Sequence, residues 1–418
     1  MSMENITGTS EISVIEEKNK LWNLNFILLW QGQLVSSFGD SVYDIALGFW
    51  ILSRTGSTAI MGILMAMTVA PRIFLSPIAG TFADRHNRKW IMVLTDGLRG
   101  VTITFIGVAA IFDFIEIWMV MLGGIILGIC GSLFNPAVQS SLPDIISKDK
   151  LVKGNSAISL ANTGMDILGK SMGGVLYQFI GAPVLFLTNG ISFILSAISE
   201  LFIKIPVTQK ASKKIDFMDD LKAGFKYVKD YTGLKYLYVT IAFLNFFAVM
   251  SLTLLLPFFN SKEYLGPEKY GVAMAFSAAG MFAGFFLFTV VDINRIKKSV
   301  LFSVGGMITC FCIGVLPLMK SYTLIIILLL VNGVAVAVVR TILQASLQAA
   351  VPSDMLGKVF GFRRAIASSL IPLAMAVGGL MAEFIPIGLI ISGGNIVIFI
   401  LFLVLGFNKP VIELVDAY

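Results

Sequence analysis

Apolar runs long enough to cross a bilayer follow one another along almost the whole chain, and they dictate what it can become. A helix needs about 20 mostly apolar residues to span the hydrocarbon, where every backbone polar group must be bonded internally. Such runs occur near 22–52, 58–82, 90–112, 116–140, 155–181, 183–203, 236–260, 269–291, 299–319, 322–349, 359–383 and 386–407. The reading is an all-α membrane protein with twelve transmembrane helices. Composition agrees, since 57% of the 418 residues are hydrophobic and only 13% are charged.

Charge sorting sets an expected orientation. With the N-terminus in the cytosol, 23 Lys and Arg fall in cytosolic segments and four outside, the four being Arg54, Lys262, Lys269 and Lys320. This obeys the positive-inside rule, so both termini are expected in the cytosol of a multi-pass plasma (inner) membrane protein. The same sorting accounts for the net charge of +6 and argues against nucleic acid as a partner. Residues 1–21 are polar and acidic, lack the order of a signal peptide, and read as a cytosolic tail.

An internal repeat divides the rest. VQSSLPDIISKDKLVK (138–153) aligns with LQASLQAAVPSDMLGK (343–358) at an offset of 205, so that spans four and ten end alike. Six-helix bundles are therefore expected at 22–204 and 236–407, joined by a linker at 205–235, with a cytosolic tail at 408–418. Within the linker, Phe217, Leu221, Phe225 and Val228 recur at helical spacing, as in an amphipathic helix lying at the lipid interface or a solvated linker helix.

GMDILGKS (164–171) spells the phosphate-binding pattern G-x-x-x-x-G-K-[ST]. That pattern works where a strand feeds a loop that opens onto a helix, and here it lies mid-way along the fifth apolar run. Its glycines read instead as a small-residue face for another helix. Cys130, Cys310 and Cys312 all lie in apolar runs and read as buried thiols, and no metal or other cofactor is expected. One His excludes an H-E-x-x-H metalloprotease, and the chain does not read as an enzyme.

After the second run, GTFADRHNRK (80–89) resembles the G-x-[LF]-A-D-R-x-x-R-K loop of the major facilitator superfamily. LLWQGQLVSSFGD, followed by RTGS, is similar to the macrolide-efflux and siderophore-exporter branch of that superfamily. The resemblance implies two pseudo-symmetric six-helix bundles and transport of a small-molecule substrate by alternating access. It also implies that Gly80, Asp84, Arg85, Arg88 and Lys89 form a conformational latch, which Asp96 and Arg99 extend, and that DINRIKK (292–298) is a degenerate echo of it. Gln31, Gln33, Asn245 and Asn332 fall in spans that line the cavity in that family. Two of its antiport marks are missing: Gly124 stands where an Arg precedes Gly128, and Gly169–Lys170 replaces a G-P pair.

A charge inside the hydrocarbon costs about 2.5–3.5 kcal/mol on insertion scales, so such residues face a partner or a wet cavity. Asp40 and Asp44 lie one turn apart on span one and are candidate proton carriers. Arg72 on span two and the Asp166/Lys170 pair on span five are candidate charge partners, with Asp40–Arg72 and Asp166–Lys170 as simple neutralising pairs the alternative. Arg340 on span ten either greets an anionic substrate or reaches toward the membrane surface. The expected function is secondary active efflux, in a monomer, of a lipophilic or amphipathic drug such as a macrolide, coupled to protons. The alternative is export of an endogenous metabolite (a siderophore, lipid or other organic anion), not necessarily with protons.

Overall fold

A computed structural model describes residues 20–205, 217–290, 297–352 and 355–416. The expected N-terminal tail, the linker before Phe217 and the echo at 292–296 therefore lie outside the described residues. The described chain is helical: α1 (Leu24–Thr55), α2 (Thr58–Arg85), α3 (Arg88–Ile111), α4 (Ile117–Ile145), α5 (Leu151–Ile180) and α6 (Ala182–Leu201). After the linker come α7 (Phe217–Asp230), α8 (Thr232–Asn260), α9 (Pro267–Val290), α10 (Lys298–Val315), α11 (Tyr322–Ala350), α12 (Leu356–Ser369), α13 (Ile371–Met381), α14 (Ile387–Phe407) and α15 (Lys409–Asp416).

Among the described residues, 10 helical segments are long and apolar enough to cross a membrane, one of them running through α12 and α13 together. The other two long helices, α1 with 32 residues and α5 with 30, carry the polar interruptions that hold Asp40, Asp44, Asp166 and Lys170. These helices have the length to span, and their polar mid-sections are the ones that charge-bearing cavities require.

The 205-residue repeat extends to helix boundaries. Adding 205 to the bounds of α4 gives those of α11, and both helices have 29 residues. The same shift carries the end of α1 to the end of α8, the end of α2 to the end of α9, and the start of α6 to the start of α14.

By internal contacts the chain forms two compact units. The first comprises Met1–Ala46, Phe74–Gly169 and Ile180–Lys213, and the second comprises Leu47–Ile73, Lys170–Phe179 and Lys214–Tyr418. Inside the first, α3 packs along α6 at backbone distance. A Cβ on Gly107 would lie 2.6 Å from the Leu187 backbone nitrogen, and one on Gly190 2.5 Å from that of Thr104. The turn into α6 is one residue, Gly181, at φ 83°, where an L side chain is disfavoured. Phe26, Leu29, Met92, Phe134, Leu142 and Ile145 form a core in this unit.

In the second unit, α7 forms within the expected linker and docks on neighbouring helices. Gly224 packs on the Lys358 carbonyl, Phe225 meets Phe362 edge-to-face at 5.6 Å, and Val228 joins a core with Leu237, Tyr238 and Phe402. The 408–416 segment is also structured: Val411, Leu414 and Val415 are buried, and the Asp416 carboxylate accepts hydrogen bonds from Ser299 N and Oγ, both 2.8 Å, at the start of α10. An acid is favoured at a helix N-terminus, where backbone N–H groups lack partners.

Candidate functional site

The first unit gathers its polar residues along the faces that α1, α5 and α6 present to one another. Ser41 Oγ on α1 donates to Asp166 Oδ1 on α5 at 2.9 Å, and Ser37 Oγ donates to Asn162 Oδ1 at 2.9 Å. Asp40 is half-buried, with the Asn189 amide of α6 3.5 Å from its Oδ1, whereas Asp44, one turn on, is exposed. The two candidate proton carriers therefore have different surroundings despite sharing a helix face. Gln33 is buried and Gln31 exposed. Lys170 and Arg72 are both exposed, on the parts of α5 and α2 that belong to the second unit.

Deeper in the same unit lies a cluster of three ionisable side chains. Asp96 and Arg99, successive on one face of α3, pair at 3.4 Å with 1% and 6% of their side chains exposed. Glu200 on α6, 2% exposed, interacts electrostatically with both. The Arg99 guanidinium lies 5.1 Å from the Phe134 ring and 5.3 Å from the Phe193 ring, so its remaining face is held by cation–π contact. Sequence reasoning placed Asp96 and Arg99 in the latch and missed Glu200. The signal was present: Asn189, Ser192, Ser196 and Glu200 are spaced three, four and four apart, a polar stripe along one face of the helix.

The loop between α2 and α3 makes its own contacts. Arg88 Nη1 pairs with Asp144 Oδ2 at 2.6 Å and donates to the Ser140 carbonyl at 2.7 Å, tying the start of α3 to the end of α4. Lys89 Nζ donates to the Leu201 carbonyl, 2.6 Å, at the end of α6. Asn87 caps α3 by accepting from Trp90 N. Arg85 is exposed, Gly80 has open space where a Cβ would stand, and the Asp84 side chain lies outside the described residues. Asp144 is a second residue that sequence reasoning missed, although it sits inside the repeated stretch.

In the second unit, α8, α9, α11 and α12 line an open cavity of about 720 Å³ bordered by Asn245, Arg340, Gln344, Gln348 and Arg363. A neighbouring cavity of about 360 Å³ reaches between α8, α10, α11 and α14, and shares Asn245 and Arg340 with it. Arg340 is exposed to the first cavity, while Asn332 is 7% exposed and borders the second with Ser251 and Asn395. Asn395 Nδ2 donates to Ser251 Oγ at 3.1 Å. Three of the residues expected in a cavity, Asn245, Asn332 and Arg340, all line the 360 Å³ cavity.

At the other end of this unit, Glu383 accepts hydrogen bonds from Ala59 N at 2.9 Å and Ser57 Oγ at 2.6 Å, at the first turn of α2. These bonds, the Ala59 N–H foremost, hold the Glu383 carboxyl below the usual range. Thr58 Oγ1 donates to the Gly379 carbonyl at 3.0 Å, continuing the same contact.

Comparison with known proteins brings these features into one context. The sequence matches the Major Facilitator Superfamily over residues 29–375. It is 22% identical to macrolide efflux protein A of Streptococcus pyogenes over 379 residues, covering 89% of this chain and 92% of that protein. It is 24% identical to the staphyloferrin A transporter of Staphylococcus aureus, covering 58% of this chain and 61% of that one. Among solved structures, a bacterial homolog to the human lysosomal transporter Spinster, inward-facing and unoccupied, superposes with TM-score 0.68 at 16% identity, covering 94% of this chain and 97% of that one.

Proposed function

Because this chain belongs to the major facilitator superfamily, we propose that it is a secondary exporter of a lipophilic or amphipathic compound of the macrolide kind, driven by protons entering near Asp40. The observation that carries the proton part is the setting of Asp40: a half-buried carboxylate in mid-helix, beside Asn189 and continuous with a polar stripe on α6. The likeness to macrolide efflux protein A supports the direction and the substrate class. Charge sorting along the sequence supports both ends in the cytosol.

The transport cycle follows from chemistry that the residues can perform. A carboxylate facing water on one side and protein on the other exchanges its proton with whichever compartment it can reach, so its charge state biases one of two packings. The Arg88–Asp144 pair, at the joint of α3 and α4, is a contact able to hold one such packing. Accumulation of a fluorescent macrolide in an efflux-deficient host should drop on expression of this chain and recover with a protonophore. Asp40→Asn should abolish the protonophore-sensitive part, with Asp44→Asn retaining more of it. Efflux that ignores the protonophore would sink the coupling.

A second reading has its own observation. Arg340, Gln344 and Arg363 around the 720 Å³ cavity suit an anionic cargo, and the staphyloferrin A transporter is among the relatives. Competition by carboxylate-rich chelators for export, lost in Arg340→Gln, would favour it over the lipophilic reading.

A further inference from the structure

Proton coupling needs a place for the proton to rest, and the first unit buries a cluster of ionisable side chains that Asp40 does not account for. Asp96, Arg99 and Glu200 together carry two acids and one base, all buried. Fully ionised, the cluster would hold a net negative charge inside a bundle whose neighbours are Phe134, Phe193 and other apolar side chains. Burying an unmatched charge costs several kcal/mol, and the usual escape is neutralisation of one group. Asp96 Oδ2, Glu200 Oε2 and Arg99 Nε, moreover, find no hydrogen-bond partner among the described residues. A carboxylate pair with unspent acceptors and a single cation has a deficit of one proton.

We propose that Asp96, Arg99 and Glu200 form a proton-binding site, with Arg99 matching one carboxylate and a single proton, held on Glu200 or Asp96, matching the other. The step forms one carboxyl O–H and breaks one O–H of a hydronium ion, which leaves as water. The charged and titratable groups facing the site are Asp40 from α1, Cys130 from α4, Asp96 and Arg99 from α3, and Glu200 from α6. The approach is the α6 stripe: Asn189 stands at Asp40, Ser192 Oγ bonds the Asn189 carbonyl at 2.7 Å, Ser196 lies beside Asp96, and Glu200 closes the row. The row runs from mid-helix to the last turn of α6, so it joins a group in the middle of the bundle to one near its end. Gly107 and Gly190 bring α3 close enough to α6 for the cluster to close.

This deepens the proton-coupled reading and rests on it for its purpose, yet it can be tested without transport. Infrared difference spectra of the full chain in liposomes, taken at about neutral pH against strongly alkaline pH, count protonated carboxyls. The expected result is a carboxyl band in the wild type that loses one group's intensity in Glu200→Gln, with Asp96→Asn as the second variant should the first fail to fold. Arg99→Gln, which removes the cation, should add one group's intensity. Intensity unchanged in both Glu200→Gln and Asp96→Asn would overturn the site. Protonophore-insensitive efflux with the infrared loss intact would instead overturn the antiport reading and leave the site standing.

Discussion

The two units solve the problem of polarity inside a membrane protein in opposite ways. The first buries charge: Asp96, Arg99 and Glu200 are all nearly inaccessible. The second, among the described residues, keeps its buried polar residues neutral, as Asn332, Asn395 and Ser251, and leaves its cations, Arg340 at a cavity among them, more exposed. Helix α4 of the first unit and α11 of the second repeat at 205 residues with matching bounds, so between these two the contrast lies in side chains rather than in scaffold.

The sharpest way to break that contrast is to remove the cation from each interior. Taking away one partner of a buried ion pair strands the others and costs about 3–5 kcal/mol. Arg99→Gln should therefore lower the thermal midpoint of the detergent-solubilised protein by more than any glycine or surface substitution does. Arg340→Gln removes an exposed side chain and should stay within about 0.5 kcal/mol. Equal losses for the two would mean that the first unit does not depend on its internal charges.

Next in size is the close approach that frames the cluster. Gly107→Ala and Gly190→Ala place a methyl against backbone atoms that cannot rotate away, an overpacking that costs about 1–3 kcal/mol. Gly164→Ala is the control, because a Cβ there meets no described atom within 4 Å, and Ala in a helix gains about 0.5–1 kcal/mol over Gly. Scanning-calorimetric midpoints should rank Gly164→Ala above wild type and the other two well below it.

The Arg88–Asp144 pair should matter less to stability. Its side chains are 19% and 9% exposed, so solvent screens part of the attraction and Arg88→Gln should cost about 1 kcal/mol. Its larger effect is expected on transport, where macrolide efflux per molecule should fall while the protonophore dependence persists. Loss of both together would move Arg88 from latch to proton path.

Much of this architecture is legible in the amino-acid order alone. Span number and the offset of 205 follow from hydropathy and a few matched residues, because a bilayer leaves a chain so little choice of structure. Asp40 and Arg340 stand out because a charge in an apolar run is conspicuous. Glu200 does not, because it lies in the last turn of α6, where a charge looks like an ordinary membrane-boundary residue. Only the antiparallel packing of α3 on α6 reveals that its side chain reaches inward to Asp96. Asp144 is hidden for the same reason at the end of α4. Docking of α7 and α15 is also out of reach, since an amphipathic pattern specifies a buried face and not what buries it.

The smallest expected effect concerns a carboxylate handled in the opposite manner from Glu200. Glu383 sits almost fully in solvent and gains its stability from the N–H of Ala59 and the hydroxyl of Ser57 at the first turn of α2. Because these bonds favour the ionised form, its folded pKa lies below the unfolded value. Its contribution is complete above the ordinary Glu pKa of about 4.3 and is lost as pH falls through the lowered folded value. Glu383→Gln should therefore lower the thermal midpoint slightly at neutral pH, and the gap from wild type should close on acidification. Glu200→Gln replaces the proposed proton-bearing carboxyl with an amide that does not ionise on unfolding, so this variant should gain on wild type as pH rises from acid to neutral, the opposite trend. If the two variants trace the same pH dependence, the difference between an acid capped in water and an acid sealed in the bundle is not the one that organises this molecule.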